Sequence, residues 1–204
     1  MRPRNLLVAF LLGTAIAAGL TLALRMGSEV AVPVRATVLP AGNALPPFAL
    51  LDHDGTAVDN TIFEGQWDLV FFGFTHCPDI CPATMQILMQ VKMKLAEQNQ
   101  DPMPRVVLVS VDPERDTPEI MSKYVSAFGD GNLGITGDLS EVSKVAAALG
   151  IYFAKAQAEN GNYSVDHSTV VLVINPDGRF QALFSAPHRV EDFVHDLPLI
   201  MATQ

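Results

Sequence analysis

Cysteine is scarce: two residues in 204, at Cys77 and Cys81. Both lie far downstream, which excludes lipid attachment through cysteine near the amino end. Basic residues are also few, 13 Lys and Arg against 22 Asp and Glu, for a formal net charge of -9. Nucleic-acid binding rests on Lys and Arg displacing counterions from phosphate, so a nucleic-acid partner is not expected. Charged residues of both signs make up only 17% of the chain, and 49% is hydrophobic, which leaves ample material for one core and no sign of disorder. No internal repeat or low-complexity segment is present.

One stretch lacks charge altogether. Leu6 to Leu24 is a nineteen-residue run without a charged side chain, preceded by Arg2 and Arg4 and followed by Arg25. As a helix it would be about 28 Å long, close to the hydrocarbon thickness of a bilayer. No Ala-x-Ala site follows it directly, so an uncleaved anchor is favoured over a removed signal. The arginines ahead of the span place the amino end in the cytoplasm and send the rest of the chain outward. Only five residues precede the run, which leaves no room for a mitochondrial transit peptide and favours a bacterial inner membrane with a soluble domain in the periplasm. The expected organisation is an anchor over 1–25, a tether over 26–45 and one folded domain over 46–204. The tether is read from Pro33, Pro40, Gly42 and the want of any helical period.

Within the domain, Phe48 to Asp52 and Ala57-Val58 flank Asp54-Gly55, a pair suited to a tight hairpin turn. Asp68 to Phe74 is an unbroken apolar run, as in a central strand covered on both faces. Ile80, Thr84, Ile87, Leu88, Val91 and Leu95 recur at helical spacing. Pro82 is tolerated only in a first turn, so this helix starts between Pro78 and Cys81. A second strand over Arg105 to Val111 precedes a helix opened by Thr117-Pro118-Glu119 and running to Phe128. Ser140 opens another helix, which ends at Gly150. A third strand, Thr169 to Ile174, a turn at Asn175 to Gly178, a fourth strand, Phe180 to Phe184, and a helix from Val190 to Met201 complete the chain. This is an α/β arrangement of the thioredoxin-like kind, with Gly129 to Tyr163 as an elaboration before the third strand.

The chemistry gathers where the first central strand meets its helix. Cys77 and Cys81 stand at a helix amino end, where unpaired amides and the helix dipole favour thiolate. Two thiolates are soft ligands suited to Cu(I), whereas zinc collects four nitrogen or sulfur ligands. A structural disulfide is the competing reading, although so short a loop removes little unfolded-state entropy. The dithiol motif of redox enzymes has two intervening residues, and this pair has three. His167 precedes the third strand in a loop that this topology packs beside the same helix end, within reach of the thiolates. An imidazole added to two sulfurs gives a site for both Cu(I) and Cu(II). Asp166 is a candidate for orienting that imidazole. His76 is read as structural, and His53, His188 and His195 as solvated surface. Met85, Met89 and Met93, spaced every four along the helix, are read as packing.

Three ordered motifs, Phe72-Gly-Phe-Thr-His-Cys-Pro-Asp-Ile-Cys-Pro82, Ser110-Val-Asp-Pro-Glu-Arg-Asp-Thr-Pro-Glu119 and Tyr163-x-Val-Asp-His-Ser168, together with the single amino-terminal anchor, resemble the Sco/SenC family, named for synthesis of cytochrome c oxidase. The resemblance covers nearly all of the exported domain. It implies one copper per chain, held by Cys77, Cys81 and His167, and a metallochaperone that delivers it to the binuclear centre of oxidase subunit II or to another copper protein. The alternative is a thiol-disulfide reductase of that centre's cysteines, in which Cys77 attacks and Cys81 resolves. A thiol peroxidase or redox sensor is a third reading. The Ser110 to Glu119 segment is read as strand end, turn and helix cap, with no chemistry assigned to it.

Overall fold

The structure, a computed structural model, describes Thr14 and residues 32–157 and 163–202. The strands are β1 (Thr37–Ala44), β2 (Leu50–Asp52), β3 (Ala57–Val58), β4 (Asp68–Gly73), β5 (Arg105–Ser110), β6 (Leu133–Thr136), β7 (Phe153–Gln157), β8 (Tyr163–His167), β9 (Val171–Ile174) and β10 (Arg179–Phe184). The helices are α1 (Ile80–Glu97), α2 (Pro118–Ser126), α3 (Leu139–Ala148) and α4 (Val190–Met201).

The apolar run expected to form a central strand does so, and all six residues of β4 are buried. It pairs in parallel with β5 on one side and antiparallel with β9 on the other. The full sheet has the order β1-β10-β9-β4-β5-β6-β2-β3. This is the expected mixed α/β, thioredoxin-like arrangement. The Asp54-Gly55 turn forms as expected: Gly55 has φ 82, and the Asp52 side chain accepts from the amides of Asp54 and Thr56.

Pro82 is the third residue of α1, as its missing N–H requires. The helix buries Cys81, Thr84, Met85, Leu88, Val91 and Leu95, a stripe at three- and four-residue spacing. Each fully buried large apolar side chain contributes roughly 1.5–3 kcal/mol of transfer free energy. Ile80, expected on this face, is 43% exposed instead. α1 also packs on α4. Thr117 caps α2 as expected, its side chain accepting from the Ile120 amide. The cap of α3 is Asp138, two residues before the Ser140 expected to open it.

Three expectations are corrected. The tether is in part a strand: β1, with Pro40 and Gly42 inside it, pairs with β10 through an irregular register between Val38 and Asn43. The folded unit accordingly begins at Pro33, ahead of the expected Pro46. Proline was read there as a linker signal, but an edge strand with a bulge tolerates it, because an outward position needs no N–H. The elaboration contains β6, which joins the main sheet parallel to β5. It also contains β7, which pairs with β8 in a separate two-stranded ribbon, so His167 ends a strand and does not lie in a loop. The apolar run Leu6 to Leu24, apart from Thr14, lies outside the described residues; among those described, no helix is long and apolar enough to cross a membrane.

Candidate metal centre

β4 ends at Gly73, and the chain then turns so that the Cys77 amide donates to the Phe74 carbonyl at 3.2 Å. This turn sets Cys77 just ahead of α1 and Cys81 in its first turn. Asp79 occupies the N-cap position without making a side-chain capping bond. The Cys81 amide instead points at Cys77 Sγ, 3.4 Å away, so a sulfur stands where a capping oxygen usually does. Cys77 is half-buried and Cys81 fully buried, and both are free thiols.

Gly73 makes room for the second sulfur. A Cβ there would lie 3.0 Å from Cys81 Sγ and 2.8 Å from the Phe71 ring. Burial pushes the Cys81 thiol well above the ordinary thiol range, while a hydrogen bond from the Phe74 backbone works the other way. The helix-end amides were expected to favour thiolate; at Cys81 desolvation outweighs them.

His167 arrives from the end of β8. Its Nε2 lies 3.3 Å from Cys81 Sγ, and its Nδ1 lies 2.9 Å from the Ser168 carbonyl. A carbonyl can only accept, so Nδ1 carries the proton and Nε2 presents its lone pair to the sulfurs. Burial lowers the imidazole pKa, which disfavours the charged ring. Phe71 and Phe74 meet the ring edge-on at 5.7 and 5.9 Å between centroids. The donor atoms of Cys77, Cys81 and His167 all lie within 4.8 Å of one another. The structure thus brings together the three residues singled out in the sequence.

Asp166 does not take the orienting role considered for it. It is exposed, and the Ser168 carbonyl holds Nδ1 in its place. His76 lies 3.0 Å from Thr75 Oγ1 through its Nδ1, consistent with a structural part. The three histidines expected at the surface make specific bonds. His53 Nδ1 accepts from the Gly134 amide, His188 Nε2 donates to the Thr169 carbonyl, and His195 Nδ1 lies 2.6 Å from Asp196. Met85 is core, while Met93 is 58% exposed.

The Ser110 to Glu119 segment proves to be more than a turn and cap. Asp112 and Asp116 are fully buried within it. Asp116 accepts from Ser110 Oγ at 2.6 Å and from the Thr75 hydroxyl at 2.5 Å, and Asp112 accepts from Tyr163 OH at 2.7 Å. Apart from the motif's resemblance, the residues themselves offered only three acidic side chains in a turn, which is also what a solvated loop contains.

The SCO1/SenC family model matches residues 37–202. A putative copper-binding protein of Stutzerimonas stutzeri is 33% identical over 164 residues, 80% of this chain and 80% of that one. The mitochondrial SCO2 homolog of Mus musculus is 39% identical over 151 residues, 74% of this chain and 59% of its own length. The chain therefore spans less than two thirds of that mitochondrial relative. The crystal structure of Arabidopsis thaliana ScoI with copper bound matches with a TM-score of 0.74 at 33% identity, covering 78% of this chain and 99% of that one. The extent of the family match, these likenesses and the three convergent donor atoms lead to one assignment: the chain belongs to the SCO1/SenC family.

Proposed function

We propose that this protein is a copper metallochaperone that takes one copper ion through Cys77 Sγ, Cys81 Sγ and His167 Nε2 and passes it to the binuclear copper centre of cytochrome c oxidase subunit II or to another copper protein. The convergence of the three donors carries this reading, with Nδ1 already committed to the Ser168 carbonyl. Two thiolates suit Cu(I), and the imidazole extends the set to Cu(II). The relative from S. stutzeri is described as copper-binding, and the A. thaliana structure holds copper, which supports the choice of metal. Binding displaces the thiol proton of Cys81. Release to a partner begins at Cys77, the more exposed sulfur, where an incoming thiolate replaces a ligand without opening the core. This is carriage and not turnover. The span from Leu6 to Leu24 would hold the domain at the outer face of a bacterial inner membrane.

The same two sulfurs support a second reading, favoured by their unequal burial. Cys77 is placed to attack a partner disulfide and Cys81 to resolve the mixed disulfide, leaving two thiols on the partner and a Cys77-Cys81 disulfide here. His167→Ala separates the two. The variant should retain Cu(I) on two thiolates but lose stable Cu(II) binding with its sulfur-to-copper charge-transfer absorption, and should fail to load copper-free subunit II, while thiol exchange survives. Unchanged Cu(II) binding would remove His167 from the site, and normal loading despite lost binding would favour the reductase.

A further inference from the structure

The β7–β8 ribbon that carries His167 makes no strand pairing with the main sheet. Beyond the short link from His167 to β9 and the Ser168 carbonyl, side chains therefore help set where the imidazole stands relative to the two sulfurs. They converge on one turn, Ser110 to Asp116. At its far end, Asp116 accepts from the amide and hydroxyl of Thr75 at 3.1 and 2.5 Å, fixing the strand exit two residues before Cys77. At its near end, Asp112 accepts from Tyr163 OH at 2.7 Å and from Arg115 Nε. Tyr163 opens β8, four residues before His167. The Arg115 guanidinium lies 3.9 Å from the Tyr163 ring centroid, and its Nη1 donates to the Tyr163 carbonyl at 3.3 Å. Its Nη2 is buried without a hydrogen-bond partner among the described residues, so contact with the ring stands in for one. Lys155 of β7 lies 4.7 Å from the same ring centroid and pairs with Glu114 of the turn at 2.7 Å.

Stability alone is a poor explanation for this cluster. Buried ion pairs replaced by apolar groups of similar volume often leave a protein as stable or more so. What a satisfied polar network adds is a single geometry. We propose that Tyr163, held by Asp112 and Arg115, is a positioning residue for His167, and that the Ser110 to Asp116 turn sets the spacing between the imidazole and the cysteine pair by gripping both. The proposal rests on the reading of Cys77, Cys81 and His167 as copper ligands.

The test uses the full chain in detergent and compares Tyr163→Phe, which removes one hydroxyl, with Arg115→Lys, which keeps the charge but loses the flat group over the ring. In metal-free protein, both should move the His167 ring nitrogen resonances and speed amide exchange at Val165, with the melting temperature recorded alongside. In loaded protein, Cu(II) affinity should fall about tenfold or more, the usual cost of losing a group that orients a ligand, with a shifted charge-transfer band and a smaller change for Cu(I). In the His167→Ala background, Tyr163→Phe should have no further effect on copper. Unmoved ring resonances and an unchanged Cu(II) spectrum in both variants would overturn the proposal, as would an equal loss of copper affinity with His167 already removed. A wild-type protein that binds no copper would defeat the ligand reading, and the metal-free resonances would still decide whether Tyr163 positions the ring.

Discussion

Gly73→Ala adds a single methyl group beneath the candidate centre. The new Cβ would lie 2.8 Å from Phe71 Cε1, 3.0 Å from Cys81 Sγ and 3.3 Å from Leu108 Cδ1, and all three neighbours are fully buried. Overpacking of this kind costs about 1–3 kcal/mol. Gly73 is not among the glycines with positive φ, so alanine suits the backbone and recovers about 0.4–1 kcal/mol by restricting the unfolded chain. The net loss is about 1–2 kcal/mol, or about 2–8 °C in melting temperature for a domain of this size. Strain can be relieved by moving either the sulfur or the Phe71 ring, and that ring packs edge-on against His167. Both routes disturb a proposed ligand. If restoring the ligand on binding costs the same strain, copper affinity falls roughly five- to thirtyfold. Gly134→Ala in β6, two strands from β4, provides the control, since its Cβ would meet Met121 Cβ and Cε at 3.1 and 3.2 Å. Thermal unfolding of reduced protein and competitive copper titration on both variants should show similar losses of stability but a loss of copper affinity only in Gly73→Ala. Equal copper affinity in both would refute the idea that the gap at Gly73 places Cys81 Sγ.

The two cysteines should differ when changed to serine. Cys77→Ser should leave stability nearly unchanged, while Cys81→Ser, which puts a shorter, more polar side chain in a fully buried place, should cost about 1–3 kcal/mol by denaturant unfolding; equal cost would contradict the burial difference. Oxidation to a Cys77-Cys81 disulfide should abolish copper binding by removing both thiolates, and equal affinity in reduced and oxidised samples would overturn the cysteine assignment. A chain beginning at Leu45 should be strongly destabilised relative to one beginning at Pro33. It lacks β1 and the amides of Val34, Arg35 and Ala36 that donate to buried Asp196, so equal melting temperatures would show the grip to be dispensable. Burial raises the Asp68 carboxyl to about 6, against the opposing pull of Arg105. The folded state then holds this proton more tightly than the unfolded state, so the stability it contributes is greatest below about pH 4 and is lost as pH rises through about 6. Asp68→Asn should remove that slope from a stability-versus-pH series, and an unchanged slope would assign it to another group.

What could be read in advance was whatever advertises itself within a few residues. The unbroken apolar run of β4, the stripe on α1 and the position of Pro82 all act locally, and each predicted its element closely. The pairing of Cys77 and Cys81 was equally local. Placing His167 required the topology as well, because eighty-six residues separate it from Cys81. β6 escaped notice because four residues flanked by Gly131 and Gly137 resemble a loop until β5 supplies a partner. β1 was hidden by Pro40 for the same reason, since an edge strand is defined by its neighbour. Asp112 and Asp116 gave only an ambiguous signal: an acidic residue in a turn is ordinarily solvated, and the bonds from Thr75 and Tyr163 that satisfy these two come from distant parts of the chain. Desolvation at Cys81 likewise depends on groups, among them Phe71 and Leu108, that the local motif does not contain.

The strand at one border of the sheet carries a further consequence. A bare sheet margin presents free N–H and C=O groups on which another chain can build, the first step toward fibrils or swapped dimers. Here one margin is β1, broken in register and interrupted by Pro40, and the other is β3, only two residues long. Neither offers the run of evenly spaced donors that a foreign strand needs. If the chain carries copper as proposed, such blunted margins would let it meet its clients repeatedly without becoming trapped against them. Straightening β1 by replacing Pro40 and closing the bulge should make the protein more adhesive before it makes it more stable.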